Sequence, residues 1–426
     1  MNWKSFLAAA LLSAGLILPS FGIRIVLDYR YDTAGFFEQP GAKTALRDVA
    51  DLFESLIQDQ LLRIDSADFP GTTWTATIRH PGTNQTIEIV NPVIPENTVI
   101  IFPAGLSLSG GTTGRGGNSG FRARPRDQFF ERIVGRGQTG ATAPDPADRT
   151  DYAISLGSIS FDNSDRTWNF TRANAPGTEF YSTAIHEFCH VFGFGIASTF
   201  RNLIVDGEFT GANSVQAFGG RVPLHGDEAH WQNNSNNPNP RVCFDPNNPN
   251  NVLSSKLGVF GQIHGADQIA IMDPSRCDDG QNFPTLTALD IAALQDIGWE
   301  VAPPLAFRSD LADLSQPSFR WNTLPTFRYT LLRGQQLDNL QPLSIQPGNG
   351  APASFTDRSP LSRQAFYRLQ AEARTSVTNR ASALRSSQIK QTGIATFTTL
   401  PSSMVSQAPS SVTCACDDPA HNFHWK

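Results

Sequence analysis

The chain has 426 residues, enough for one large core and a smaller companion. Hydrophobic residues make up 39% and charged residues 17%, a balance that excludes a disordered or fibrous chain. The net charge of -6 is spread out, and no Lys/Arg block or basic aromatic face suggests a nucleic-acid partner.

Residues 1–22 read as a signal peptide: Lys4 precedes an apolar run from Phe6 to Leu18, and Pro19-Ser20-Phe21-Gly22 offers small residues for cleavage. That run is shorter than the roughly 20 residues of a membrane span, and no later segment reaches the length. The expectation is a protein secreted or held at the cell surface, with no membrane span. Export permits disulfides, and of the five cysteines (Cys189, Cys243, Cys277, Cys414 and Cys416) the expected pair is Cys243 with Cys277.

Ile23 to Tyr29 reads as a strand, and Ala42 to Leu62 carries apolar residues at helical spacing. Thr73 to Ile78, Thr86 to Val90 and Thr98 to Phe102 are β-branched runs expected to join one sheet. Gly105 to Gly120 is rich in Gly, Ser and Thr and reads as a solvated surface loop; a phosphate-loop reading lacks the Gly-Lys-Ser/Thr ending. Ala153 to Phe161 is a further strand. Asn233 to Asn251, dense in Asn and Pro, is a loop. The fold class is α+β, with one domain over 23–302 and a boundary near Ala302-Pro303-Pro304. A small β-rich module follows over 303–370, with strands at Phe319 to Trp321, Phe327 to Leu332, Ala353 to Thr356 and Ala365 to Leu369. Residues 371–426 form a Ser/Thr-rich tail expected to pack poorly. Cys414-x-Cys416 with His421 and His424 reads as a loop or an intermolecular disulfide rather than a metal site.

The chemistry concentrates in Thr183-Ala184-Ile185-His186-Glu187-Phe188-Cys189-His190-Val191-Phe192-Gly193. Residues four apart share a helix face, so His186 and His190 can reach one ion. Glu187 can take a proton from a zinc-activated water and deliver it to a leaving amine. Gly193 suits a helix that stops just after its second ligand. Cys189 points off the histidine face and is expected as a buried small hydrophobe. A catalytic zinc keeps three protein ligands, and the candidates for the third are His225, His230 and His264.

His186-Glu187-x-x-His190-x-x-Gly193 resembles the metzincin zinc peptidases, which usually place a third His shortly after that Gly, where this chain has Ile196. The leishmanolysin-like branch inserts a segment before a His-Trp pair that follows a Val-Pro stretch. Val222-Pro223-Leu224 followed by Ala229-His230-Trp231 looks like that arrangement, and the resemblance implies His230 as third ligand, with His264 as its competitor. Ile271-Met272-Asp273-Pro274 resembles the family's Met-turn, and Leu286 to Trp299 its closing helix in secreted bacterial relatives.

The resemblance covers Ile23 to Val301. It implies a metzincin-like fold with a mixed sheet, active-site helix, Met-turn and C-terminal helix. It further implies one catalytic Zn2+, protein or peptide substrates, and zinc-dependent endopeptidase activity with Glu187 as general base; the expected state is a monomer. Two alternatives share the scaffold: a catalytically inactive surface adhesion protein, and a zinc hydrolase of a non-peptide amide.

Overall fold

The computed structural model describes residues 22–124, 128–171, 176–232, 253–257, 263–274, 285–302, 307–310, 315–321, 323–324, 327–336, 339–348, 353–361, 365–373 and 390–393. The expected signal peptide up to residue 21, the loop 233–251, Cys243, Cys277, Cys414, Cys416, His421 and His424 lie outside the described residues, as does the tail apart from 371–373 and 390–393.

From the N-terminus, β1 (Arg24–Leu27) leads to α1 (Ala42–Leu56), β2 (Thr73–Arg79), β3 (Thr86–Val90), β4 (Thr98–Leu106), β5 (Gly114–Asn118) and β6 (Gly120–Arg124). Next come α2 (Gln128–Gly135), β7 (Leu156–Asp162), β8 (Trp168–Asn169), β9 (Thr178–Glu179) and α3 (Phe180–Val191). Then follow α4 (Ser198–Arg201), β10 (Ile204–Val205), β11 (Glu208–Phe209), α5 (Ala212–Phe218), β12 (Val222–Pro223), β13 (Leu253–Leu257), β14 (Ile263–Ile269) and α6 (Ala288–Asp296). The architecture is α+β, with a mixed sheet and few helices. No helix among the described residues is long and apolar enough to cross a membrane.

The central sheet has the order β1-β4-β7-β5, with β1, β4 and β7 parallel and β5 antiparallel at the edge. β7 is buried along its whole length, as expected of an inner strand covered on both faces, although Ser158, Ser160 and Asp162 interrupt its apolar residues. One face packs on α1 and α3 through Val99, Ile101, Ile159 and Phe161. The other face meets a second core of Trp74, Ile78, Phe102, Phe129 and Leu156.

Two expectations are corrected here. The β2 and β3 strands do not join β4; they form a separate sheet, β3-β2-β6, because Trp74 and Ile78 bury against that second core. Helix α1 ends at Leu56 rather than Leu62. There Ile57 turns extended and pairs with Val301, while Leu56 O accepts from Ala302 N, so tertiary hydrogen bonds replace the next helical turn.

Behind the central sheet, Arg136 is fully buried, and it makes no ion pair among the described residues. Its guanidinium donates instead to the carbonyls of Leu62, Pro95, Thr98 and Ile154, at 2.7 to 3.0 Å. Burial pushes its pKa down to about 9.

After residue 302 the described residues with regular structure are all in strands: β15 (Phe307–Asp310), β16 (Ser318–Trp321), β17 (Phe327–Gly334), β18 (Gln341–Pro347), β19 (Ala353–Thr356), β20 (Phe366–Ala373) and β21 (Lys390–Gly393). They form two antiparallel sheets, β15-β16-β19 and β18-β17-β20-β21, arranged as a β-sandwich. Phe319 and Tyr367 meet between the sheets with ring centroids 4.4 Å apart. The sandwich runs past the expected limit at residue 370, since β20 continues to Ala373 and pairs with β21.

Candidate metal centre

Helix α3 is buried along most of its length and brings the first two histidines to the floor of a cleft of about 660 Å³. The Glu179 carboxylate caps its N-terminus by accepting from Tyr181 N and Ser182 N. Gly193 ends it at φ 101°, where a Cβ would lie 2.8 Å from the Tyr152 ring. Two residues on, Gly195 (φ 73°) is pressed against Ala229 so closely that a Cβ would overlap its backbone. That approach delivers His230 to the end of α3. The segment is held there by Trp231 N donating to Met272 O and by a bridge between Leu224 and Trp231.

His186, His190 and His230 converge so that one ligand atom from each lies within 4.8 Å of the others, and together they could hold a metal ion. The His230 Nε2 atom is 3.1 Å from His190 Nε2 and 3.2 Å from His186 Nε2. These contacts are not ordinary hydrogen bonds, because each ring spends its proton elsewhere. His186 Nδ1 faces Ile271 O at 2.7 Å, His190 Nδ1 faces Phe194 O at 3.0 Å, and His230 Nδ1 faces the Asp227 carboxylate at 2.8 Å. Acceptors at all three Nδ1 atoms fix the Nδ1–H tautomer and leave three Nε2 lone pairs pointing at one another. Such a cluster is repulsive unless a cation sits at its focus. A tetrahedral ion with bonds of about 2.0 to 2.1 Å has ligand edges of roughly 3.3 Å, close to the spacing observed.

Electrostatics favour the neutral, metal-binding rings. Burial and the neighbouring histidines hold His186 well below its ordinary value, and burial with His230 holds His190 down at about 4. Burial works to raise the Asp227 carboxyl, but the Ala229 amide and the two histidines outweigh it and bring it to about 2. Asp227 therefore stays ionised as the orienting group for His230.

Glu187 lies on the neighbouring face of α3, buried against β5. Burial pushes its carboxyl up to about 8, opposed by a hydrogen bond from the Gly116 amide and by the charge of Arg115. Strand β5 can lie this close only because it lacks side chains: a Cβ on Gly114 would sit 2.7 Å from Glu187 Oε1, and one on Gly116 would overlap the Glu187 backbone. The expectation of a solvated loop over 105–120 is thus corrected. Gly105 and Leu106 belong to β4, and Gly114 to Asn118 form an edge strand along the cleft.

Met272 is fully buried in the turn after β14, where Asp273 N donates to Ala270 O. The neighbouring Ile271 supplies the carbonyl that orients His186. Sequence reasoning missed what holds this turn, which is the buried carboxylate of Asp290 on α6. It accepts from Ile271 N, Met272 N, Trp231 Nε1 and both Thr287 donors, tying the turn, the residue after His230 and the start of α6 together. Cys189 is buried in the apolar core and takes no part in the cluster. His225 Nδ1 lies 3.2 Å from Asp227 and outside the converging group. The backbone of His264 lies in β14, and its side chain is outside the described residues.

Comparison of the chain with family models, with curated proteins and with solved structures finds no match in any of the three.

Proposed function

We propose that this chain is a zinc-dependent endopeptidase of the metzincin type, with the ligand arrangement of the leishmanolysin-like branch. The observation that carries the reading is the convergence of three Nε2 lone pairs, each ring locked by its own Nδ1 acceptor, beside a buried carboxylate on the same helix. His186, His190 and His230 would hold the ion. A zinc ion there would polarise a carbonyl and bring water acidity toward about pH 7.

The remaining work belongs to the chain's own groups. Glu187 takes a proton from the attacking water as the oxygen-to-carbon bond forms, then returns it to the amine nitrogen as the carbon-to-nitrogen bond breaks. The Gly116 amide holds that carboxylate in place. Strand β5 ends its sheet, so its outer edge is a template on which an extended polypeptide can pair by main-chain hydrogen bonds. This favours a peptide over a small amide as substrate.

The purified full-length protein is expected to contain one zinc per chain and to cleave casein in a chelator-sensitive manner. Glu187→Gln should keep the zinc while losing roughly 10²- to 10⁴-fold in turnover. Near wild-type turnover in Glu187→Gln, or cleavage that survives metal removal, would overturn the assignment.

A further inference from the structure

The run Gly114-Arg115-Gly116-Gly117 gives β5 a single side chain beside the cleft. Because side chains alternate along a strand, the contact of Gly114 and Gly116 with α3 directs Arg115 to the opposite face. There it is exposed, and no other Lys or Arg lines the cleft among the described residues.

Arg115 is anchored but not neutralised. Its Nη1 donates to Asn84 Oδ1 at 3.0 Å, in the turn between β2 and β3. Asn84 has left-handed backbone (φ 59°), and its carbonyl accepts from Arg79 Nη1 at 3.1 Å, which brings a second cation to the same rim. A guanidinium has five N–H donors in a rigid fork; one is used on Asn84, and the rest suit a carboxylate. Across the cleft the charge is opposite, from Asp227 and Asp273.

Resting on the endopeptidase reading above, we propose that Arg115 makes this site selective for peptides with an aspartate or glutamate at the position that pairs across β5 from it. A peptide added at the outer edge of β5 places one side chain opposite Arg115 on the face away from α3. Cross-strand pairs of opposite charge attract there, and a lysine at that position is repelled. The interaction is exposed to solvent, so the preference is modest, about three- to tenfold in kcat/KM for acidic over neutral side chains.

The test uses the zinc-loaded full-length protein and matched peptides with one cleavage point, in which each flanking position carries Glu, Gln or Lys in turn. Wild type should favour Glu at one position. Arg115→Lys should keep that preference, Arg115→Gln should flatten it, and Arg115→Glu should turn it toward Lys. Chelator-sensitive cleavage with no acidic preference, or with a preference that Arg115→Gln and Arg115→Glu leave intact, sinks the role of Arg115 and leaves the endopeptidase reading standing. If wild type cleaves none of the peptides or casein in a metal-dependent way, the endopeptidase reading fails and the specificity falls with it.

Discussion

The domain over residues 22–302 and the β-sandwich beyond it spend their interiors differently. The first buries Asp59, Arg136, Glu187, His190, Asp290 and Asp296, whereas the described interior of the sandwich buries Phe319, Trp321, Tyr329 and Tyr367, with Thr323 and Asp357 as its buried polar residues. Burying a charged or polar group costs free energy unless it is fully partnered, while burying aromatic surface is favourable by itself. The sandwich is therefore built for stability. The larger region holds more groups that are costly to bury, among them Glu187 and His190 at the candidate metal centre.

The sharpest way to break this contrast is Asp290→Ala. It strands buried donors from Ile271, Met272, Trp231 and Thr287, and should cost about 3 to 5 kcal/mol while loosening the turn that orients His186. Denaturant unfolding and zinc titration should move together. Trp321→Ala in the sandwich should cost a similar or smaller amount, about 3 kcal/mol, as a core cavity. Zinc affinity should then stay at the wild-type value; a parallel loss would mean that the two regions are not energetically distinct.

A smaller effect is expected of Asp227→Asn, which removes the charge that orients His230. Zinc affinity should fall roughly 10- to 100-fold with little change in unfolding midpoint. An unchanged affinity would show that the Nδ1 partner of His230 is dispensable.

The mildest test is pH, where one buried carboxyl in each region, Asp296 and Asp357, should respond with opposite sign. Burial raises the Asp296 carboxyl from 3.8 to about 6, against hydrogen bonds from Ser214 and Asn213. A raised carboxyl pKa contributes stability that is full below pH 3.8 and is lost as pH rises through about 6. Asp357 behaves the other way: burial works to raise it, but Tyr367 and Arg333, each 2.7 Å away, hold it below its ordinary value. Its contribution is present above pH 3.8 and lost on acidification. Asp296→Asn should remove the decline between pH 4 and 6, and Asp357→Asn the acid loss, in thermal unfolding followed across pH.

Legibility in the sequence tracks how local each signal is. His186, Glu187 and His190 are readable because a four-residue spacing on one helix fixes their mutual geometry within a single turn. His230 comes from the resemblance, since nothing local says that a loop 40 residues away returns to the two histidines of α3. Asp227 was missed because an aspartate in a polar stretch looks the same whether it faces solvent or orients a histidine; Asp290 lies in the apolar run Ala288 to Leu294, where the Thr287-x-x-Asp290 capping box explains it locally and says nothing of the distant turn whose donors it also gathers. β5 was misread for a physical reason: glycines carry no strand propensity, yet here their lack of a side chain is the requirement, since α3 leaves no room for one. The strands β2 and β3 were visible from their β-branched runs, but sheet membership is set by which core their inner faces meet, and alternation within a strand does not carry that information.

Arg136 sets how this domain can fluctuate. Three chain segments that are far apart in sequence share one desolvated cation, so detaching any of them leaves a positive charge short of acceptors in a dry interior. Partial opening on that side is suppressed, and the segments around residues 62, 95–98 and 154 should exchange their amide hydrogens as one cooperative block, at the rate of complete unfolding rather than by fraying one after another.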